Sequence, residues 1–228
     1  MVKTASCAPT LEHEIAAGFP DRIIIGVDEV GRGCLAGPVM AGAFAFPWSG
    51  EVPEWSSRVR DSKLLSAKVR DELSLKLREW TPYWHVAEST VAEIDSINIL
   101  KAAELAMKRA VDAVVDRIRT DHGSSIESRI HVLVDGNRLP RQLKEKATAI
   151  VGGDRLCLSI ACASILAKVK RDRRLEELEV LHPGYGLAVH KGYGTPEHLE
   201  SLRRLKPCPE HRRSFAPVRQ ALEGRGID

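Results

Sequence analysis

The stretch Ile23-Ile24-Ile25-Gly26-Val27-Asp28-Glu29-Val30-Gly31-Arg32-Gly33 passes from an apolar, β-branched run into two acids and a glycine-flanked arginine. A short run of this kind bounded by a turn signal reads as a buried strand, here ending at Asp28. Two acids at the end of an apolar strand are costly unless something positive compensates them. The residues alone also fit a strand running into a turn, with solvated acids and glycines that supply positive φ. Neighbouring side chains on a strand face opposite ways. If Asp28 and Glu29 serve one site, the chain must therefore bend there, which Gly31 and Gly33 permit.

Working outward, residues 38–46 read as a second strand, rich in small residues, followed by a loop over 47–60 that holds Gly50 and Pro53. Residues 66–80 are amphipathic and helical, with Ser66 placed to cap the first turn. Residues 83–88 suit a third strand. Asn98 opens the clearest helix, in which Ile99, Ala103, Ala106, Ala110 and Val114 recur at helical spacing. After a polar loop over 120–128, Ile130-His131-Val132-Leu133-Val134 forms a strand closing at Asp135-Gly136. Residues 147–151 form a short strand before Gly152-Gly153-Asp154. A long helix over 158–181 turns basic in its second half, and residues 182–195 are read as loop. A helix over 196–205 has Pro196 at its first position, and a last helix starts near Phe215. Strands that alternate with helices predict one α/β domain with a mixed sheet and a helical C-terminal end.

Composition narrows the function. The chain has 228 residues, 43% hydrophobic and 29% charged, which suits one domain with ample core. Thirty-four Lys and Arg against 31 Asp and Glu give a net charge of only +3, so any nucleic-acid surface must come from where the basic residues sit. The five cysteines, Cys7, Cys34, Cys157, Cys162 and Cys208, show no C-x-x-C spacing and read as reduced, mostly buried thiols. Glu12 and Glu14 lie in a first segment without an apolar run, which does not read as a signal peptide. No stretch is long and apolar enough to suggest a membrane span, so a cytoplasmic protein is expected.

Asp135, taken alone, is an ordinary Asp-Gly turn, and Asp154 is equally an N-terminal helix anchor. The set is more telling. Three strand ends each deliver carboxylate, and open α/β sheets build sites at such edges. Four acids in one place repel strongly unless hard cations sit among them, and oxygen-only ligation suits Mg²⁺ or Mn²⁺ rather than zinc. Ser159 and Ser164 have no recognisable histidine–acid arrangement beside them, which leaves a serine hydrolase little support.

These residues also carry a resemblance. Asp28-Glu29-Val30-Gly31-Arg32-Gly33, Asp61-Ser62-Lys63, Val134-Asp135-Gly136, Gly153-Asp154, residues 163–172 and His190-Lys191-Gly192-Tyr193-Gly194-Thr195 follow one another as in type 2 ribonuclease H. The closing His211, Ser214-Phe215 and Pro217-Val218 complete a series that resembles that family over nearly all of residues 22–218. Leu64 and Cys162 depart from it, standing where lysine and alanine are expected.

The resemblance implies a ribonuclease H-like fold, with a mixed five-stranded sheet flanked by helices and a helical C-terminal extension. Residues 1–20 read as a flexible leader, followed by a catalytic domain at 21–222 with a helical part from about 182 and a tail at 223–228; against the family the leader and the 47–60 loop are somewhat long. The resemblance further implies an endoribonuclease that attacks the RNA strand of RNA–DNA hybrids and incises duplex DNA at embedded ribonucleotides. Two divalent ions, Mg²⁺ or Mn²⁺, would act in the hydrolysis and leave 5′-phosphate and 3′-hydroxyl ends. Asp28, Glu29, Asp135 and Asp154 map onto the family's metal-binding acids. Asp172, in a basic helix, is expected to form an ion pair instead. Gly31, Arg32 and Gly33 are expected to read a ribose 2′-hydroxyl through their backbone, and Tyr193 to meet the nucleotide at the RNA–DNA junction. Lys63 and Lys168 are candidate phosphate contacts. The partners implied are RNA–DNA hybrids and ribonucleotide-containing DNA, handled by a monomer without a membrane. A type 3 enzyme is the nearest alternative, although only about twenty residues precede the first strand, too few for that family's separate substrate-binding domain. A non-catalytic hybrid-binding module and a metal phosphatase on small substrates are more distant ones.

Overall fold

In the computed structural model, which describes residues 8–47 and 51–226, the apolar run from Ile23 forms strand β1 (Ile23–Val30). The strand does not bend at Asp28. It continues through both acids, pairing Asp28 with Gly42 and Glu29 with Ala41 of the antiparallel β2 (Val39–Ala45). On the other side of β2 lies β3 (Trp84–Ser89), also antiparallel. β4 (Ile130–Asp135) and β5 (Ala147–Ile150) extend the sheet in parallel from β1, giving the order β3-β2-β1-β4-β5. The mixed five-stranded sheet agrees with the sequence reading.

Each face of the sheet has its own helical cover. Ile23, Ile25 and Val27 alternate onto one face and join Ala41, Ala43, Val132 and Val134 against Ala106, Ala110, Val114 and Ile118. Those helical residues belong to α4 (Ile99–His122), which starts at Asn98, whose side chain accepts from the Lys101 N–H at 3.1 Å. Ile24 and Leu133 face the other way, onto Cys157 and Ile160. Ile160 lies in α6 (Leu158–Leu181), which approaches the sheet closely. A Cβ on Gly26 would stand 2.2 Å from the Ser159 carbonyl carbon, and one on Gly42 would stand 2.3 Å from the Ala163 oxygen. Only glycine fits at these two strand positions. Outside α6 packs α2 (Ala67–Trp80), where Ser66 caps as expected by accepting from the Val69 N–H.

Several segments differ from the sequence reading. Part of the expected flexible leader is packed: α1 (Glu12–Ala16) buries Glu14, whose Oε1 accepts from both the N–H and the hydroxyl of Ser159 at 2.7 Å. Residues 1–7 of that leader lie outside the described residues. α3 (Val91–Ile97), closed by a Thr90–Glu93 capping box, is too short to show a helical period. α4 runs into the expected 120–128 loop, and the rest of that loop forms a 3-10 turn at Ser124–Arg129. The next segments are α5 (Gly153–Leu156) and, inside the expected 182–195 loop, the single turn α7 (Leu187–His190). α8 (Pro196–Leu205) and α9 (Ala216–Glu223) complete the helical C-terminal part as predicted. Of the cysteines described, Cys34, Cys157 and Cys162 are buried and Cys208 partly so, all as free thiols. No helix among the described residues is long and apolar enough to cross a membrane.

Candidate active site

β1 and β4 run in parallel with Val27 opposite Val134, so Asp28 and Asp135 follow side by side at the C-terminal ends of neighbouring strands. Both alternate onto the α6 face of the sheet. Asp28 is 5% exposed. Burial pushes its carboxyl well above the usual range, and the charges of Glu29, Asp135 and Asp154 push it further, against a bond from Ser164. The Ser164 hydroxyl itself pairs with that of Ser62 at 3.0 Å.

Asp154 arrives from the end of β5. Gly152 takes the left-handed conformation, and the Gly153 N–H donates to Asp135 Oδ1 at 2.6 Å, which ties the start of α5 to the β4 acid. Burial raises the Asp154 carboxyl, with Asp61 and Asp135 adding to it against Lys63. Lys63 Nζ stands 3.5 Å from Asp154 Oδ2. Burial works to lower that ammonium, yet Asp154, Asp61 and Asp28 together hold it above its usual value. Lys63 therefore sits at the acid cluster.

Glu29, the next residue on β1, pairs with Arg32 at 3.0 Å, and its charge still acts on Asp28. Each acid is thus engaged with a local donor or cation or left repelling its neighbours. Among the described residues, no three Asp, Glu, His or Cys side chains stand close enough together to enclose an ion as they lie. The donor set nevertheless fits a hard divalent cation. It is all oxygen, it includes a carboxylate nearly shut off from water, and it holds more negative charge than Lys63 offsets.

The expected recognition residues border this edge. Gly31 is buried with φ +90°, whereas Arg32 and Gly33 are exposed, and a Cβ on Gly33 would meet nothing within 4 Å. Tyr193 is 46% exposed, its phenol raised by burial and by Cys34 while the charges of Arg171 and Lys63 act the other way. It faces the same edge as Lys63. Lys168 is placed differently: its Nζ pairs with Asp172 at 2.6 Å, and Asp172 also takes Arg70 at 3.4 Å. The ion-pair reading of Asp172 agrees with this, and it leaves Lys168 engaged with Asp172 on α6. A cavity of about 860 Å³ lies elsewhere, between α4 and β4, where Lys108–Asp112 and Arg119–Glu127 pair.

Some neighbours of the site escape sequence reasoning. Ser62 and Ser164 stand within recognisable motifs, but nothing in the sequence pairs them. Arg171, Arg212, His198 and His211 are fully buried behind the recognition loops. A buried arginine or histidine cannot be told from a surface one by residue type alone.

A mixed sheet in this order, with carboxylates where β1 and β4 end, defines the class of the protein as the ribonuclease H-like fold. Comparison with known proteins resolves the family within that class. The family model for Ribonuclease HII matches residues 25–218. A curated Ribonuclease HII of Paraburkholderia xenovorans is 50% identical over 219 residues, spanning 96% of this chain and 82% of the relative. In fold the chain is similar to the ribonuclease H2 of Pyrococcus horikoshii, with a TM-score of 0.65 and 24% identity over 89% of this chain and 98% of that one. It is also similar to Bst-RNase HIII in complex with Mn²⁺, with a TM-score of 0.70 and 18% identity over 92% and 72% of the two chains. The chain belongs to the ribonuclease HII family and is an endoribonuclease of type 2 ribonuclease H, acting on nucleic acid. That assignment also decides between the type 2 and type 3 readings.

Proposed function

We propose that the chain hydrolyses the RNA strand of RNA–DNA hybrids and incises duplex DNA at embedded ribonucleotides, leaving 5′-phosphate and 3′-hydroxyl ends. The observation that carries this reading is the juxtaposition of Asp28 and Asp135 on one face of the sheet, with Asp154 beside them and burial acting on Asp28. Asp28, Glu29, Asp135 and Asp154 would hold two ions, Mg²⁺ or Mn²⁺. When bound, these would activate water, stabilise the leaving 3′ oxygen and neutralise phosphate charge.

The protein's own residues do the rest. Asp135 accepts from the Gly153 N–H, which fixes the rotamer of one acid and the position of the next. Lys63, mostly exposed beside Asp154, is placed to take a phosphate oxygen. The Gly31-Arg32-Gly33 turn offers main chain to a ribose 2′-hydroxyl, and exposed Tyr193 offers a ring to the adjoining nucleotide. Lys168 is the weakest of the proposed contacts, because it would have to leave Asp172. We place the protein in the cytoplasm as a monomer, with residues 21–222 as its catalytic domain.

The test is a DNA duplex with one ribonucleotide, incubated with and without Mg²⁺ and the cut mapped at nucleotide resolution. Metal-dependent incision at the ribonucleotide is expected. Cleavage of long hybrid alone, with the single ribonucleotide untouched, would overturn the junction-recognition part of the reading.

A further inference from the structure

Arg212 is fully buried, yet its hydrogen bonds go to main-chain carbonyls rather than to a carboxylate. Nε donates to the Gly37 oxygen at 3.0 Å, one terminal nitrogen to the Arg32 oxygen at 2.9 Å and the other to the Gly31 oxygen at 2.7 Å. The guanidinium rests on the Phe215 ring at 5.2 Å. A buried cation without a carboxylate partner is expensive, and burial pulls this one down to about 10. Nearby packing could be met by an apolar side chain; three carbonyls converging from one loop could not.

The geometry has a direct effect on the other side of the turn. In a trans peptide the C=O and the following N–H point in opposite directions. Drawing the Gly31 and Arg32 carbonyls inward therefore aims the Arg32 and Gly33 N–H groups outward, on the exposed side of the turn. Arg171, from α6, blocks the back of Gly31, where a Cβ would stand 2.1 Å from its Nε. It also bonds the Ala36 and Lys191 oxygens at 3.2 and 2.9 Å. The Leu35 N–H reaches Gly192 at 2.7 Å, so the segment after the turn is fastened to the Tyr193 loop as well.

We propose that Arg212 is a positioning residue for ribonucleotide recognition: its guanidinium holds two successive carbonyls of the Gly31–Arg32–Gly33 turn inward and so presents the turn's N–H donors to the substrate sugar. This rests on the reading of that turn given under Proposed function.

The experiment measures binding in an Asp28→Asn background with Mg²⁺, comparing a duplex that carries one ribonucleotide with the same duplex in all-DNA form. Arg212→Lys keeps the charge but gathers its donors on one nitrogen, without the planar fork that spans the three carbonyls. It is expected to reduce the preference for the ribonucleotide about tenfold or more, with affinity for all-DNA duplex unchanged. A merely structural role would weaken both duplexes together, and that outcome would overturn the proposal. So would an unchanged preference in a variant that melts as a folded protein. Should Arg212→Lys fail to fold, Phe215→Leu, which loosens the ring under the guanidinium, takes its place with a smaller loss in the same direction and the same overturning result. Gly33→Ala separates the two levels, since its added methyl enters open space. If Gly33→Ala loses the preference while Arg212→Lys keeps it, the positioning role fails and the turn's role stands. If both keep it, the turn is not the reader.

Discussion

His198 Nε2 and His211 Nε2 lie 3.0 Å apart, both fully buried, and their other partners decide which of them carries the proton. His198 Nδ1 faces the Tyr193 carbonyl at 2.8 Å and so must donate, which leaves its Nε2 as an acceptor. His211 Nδ1 accepts from the Cys208 N–H at 3.1 Å, so its Nε2 carries the hydrogen. The result is a chain of neutral imidazoles ending on the main chain of the Tyr193 loop.

A second proton on either ring breaks that chain. Burial lowers both imidazoles to about 4, with His190 and His182 acting in the same sense and Glu179 against it at His198. In the unfolded chain they titrate near 6.5. The unfolded state thus binds more protons between these values, so the stabilisation is complete above about pH 6.5 and is lost as pH falls toward 4. Thermal unfolding at pH 7, 6 and 5 should show a steeper decline for the parent than for His198→Gln. The comparison must be a difference, because Asp28 and Asp154, whose carboxyls are raised, act in the opposite sense. Parallel declines would rule out the histidines as the cause.

Asp28→Asn and Asp172→Asn should separate into two kinds of loss. The first removes a crowded, buried charge and barely changes shape. It should nearly abolish turnover while raising the metal-free melting temperature by a few degrees, for about 1 kcal/mol of relieved repulsion. The second strips Lys168 and Arg70 of their shared partner, costing about 1–3 kcal/mol of stability with turnover largely kept. Steady-state cleavage and melting curves on both variants check this. Two equally inactive variants would put Asp172 in the site.

Ile23 to Val27, the alanine-rich face of α4 and the acids at strand ends follow from period and turn chemistry, and these place the sheet and the cluster of carboxylates. The straight course of β1 through Glu29 was not legible, because pairing with Ala41 of β2 overrides the turn signal in the glycines. α3 has too few residues for a period. The Lys168–Asp172 pair follows from their spacing of four on one helix, whereas Arg70, the second partner of Asp172, comes from another helix and leaves no such mark. Arg212 acts on carbonyls, which every residue possesses, so its targets leave no mark in the sequence.

Tyr193→Ala should impair cleavage at an isolated ribonucleotide tenfold or more, since an aromatic face contributes about 1–3 kcal/mol per stacked base. The loop's main chain is held independently through His198 and the Leu35 N–H, so metal binding should survive. The measurement pairs cleavage of a single-ribonucleotide duplex and a long hybrid with calorimetric Mn²⁺ titration. Equal loss on both substrates with weaker Mn²⁺ binding would make Tyr193 a support of the site's fold.

The Glu14–Ser159 contact has a consequence in time. α6 begins at Cys157 without a side-chain cap of its own, and the carboxylate that serves its first turn comes from 145 residues earlier. Contacts that close so long a loop form late, after the local helices and the β1–β2 hairpin. Glu14→Gln should therefore speed unfolding several-fold and leave the refolding rate nearly unchanged, as stopped-flow measurements can show. A matching drop in refolding rate would place the docking of α1 in the folding nucleus instead. By this account α1 is the last helix to be fastened, and its contribution is to the lifetime of the folded enzyme.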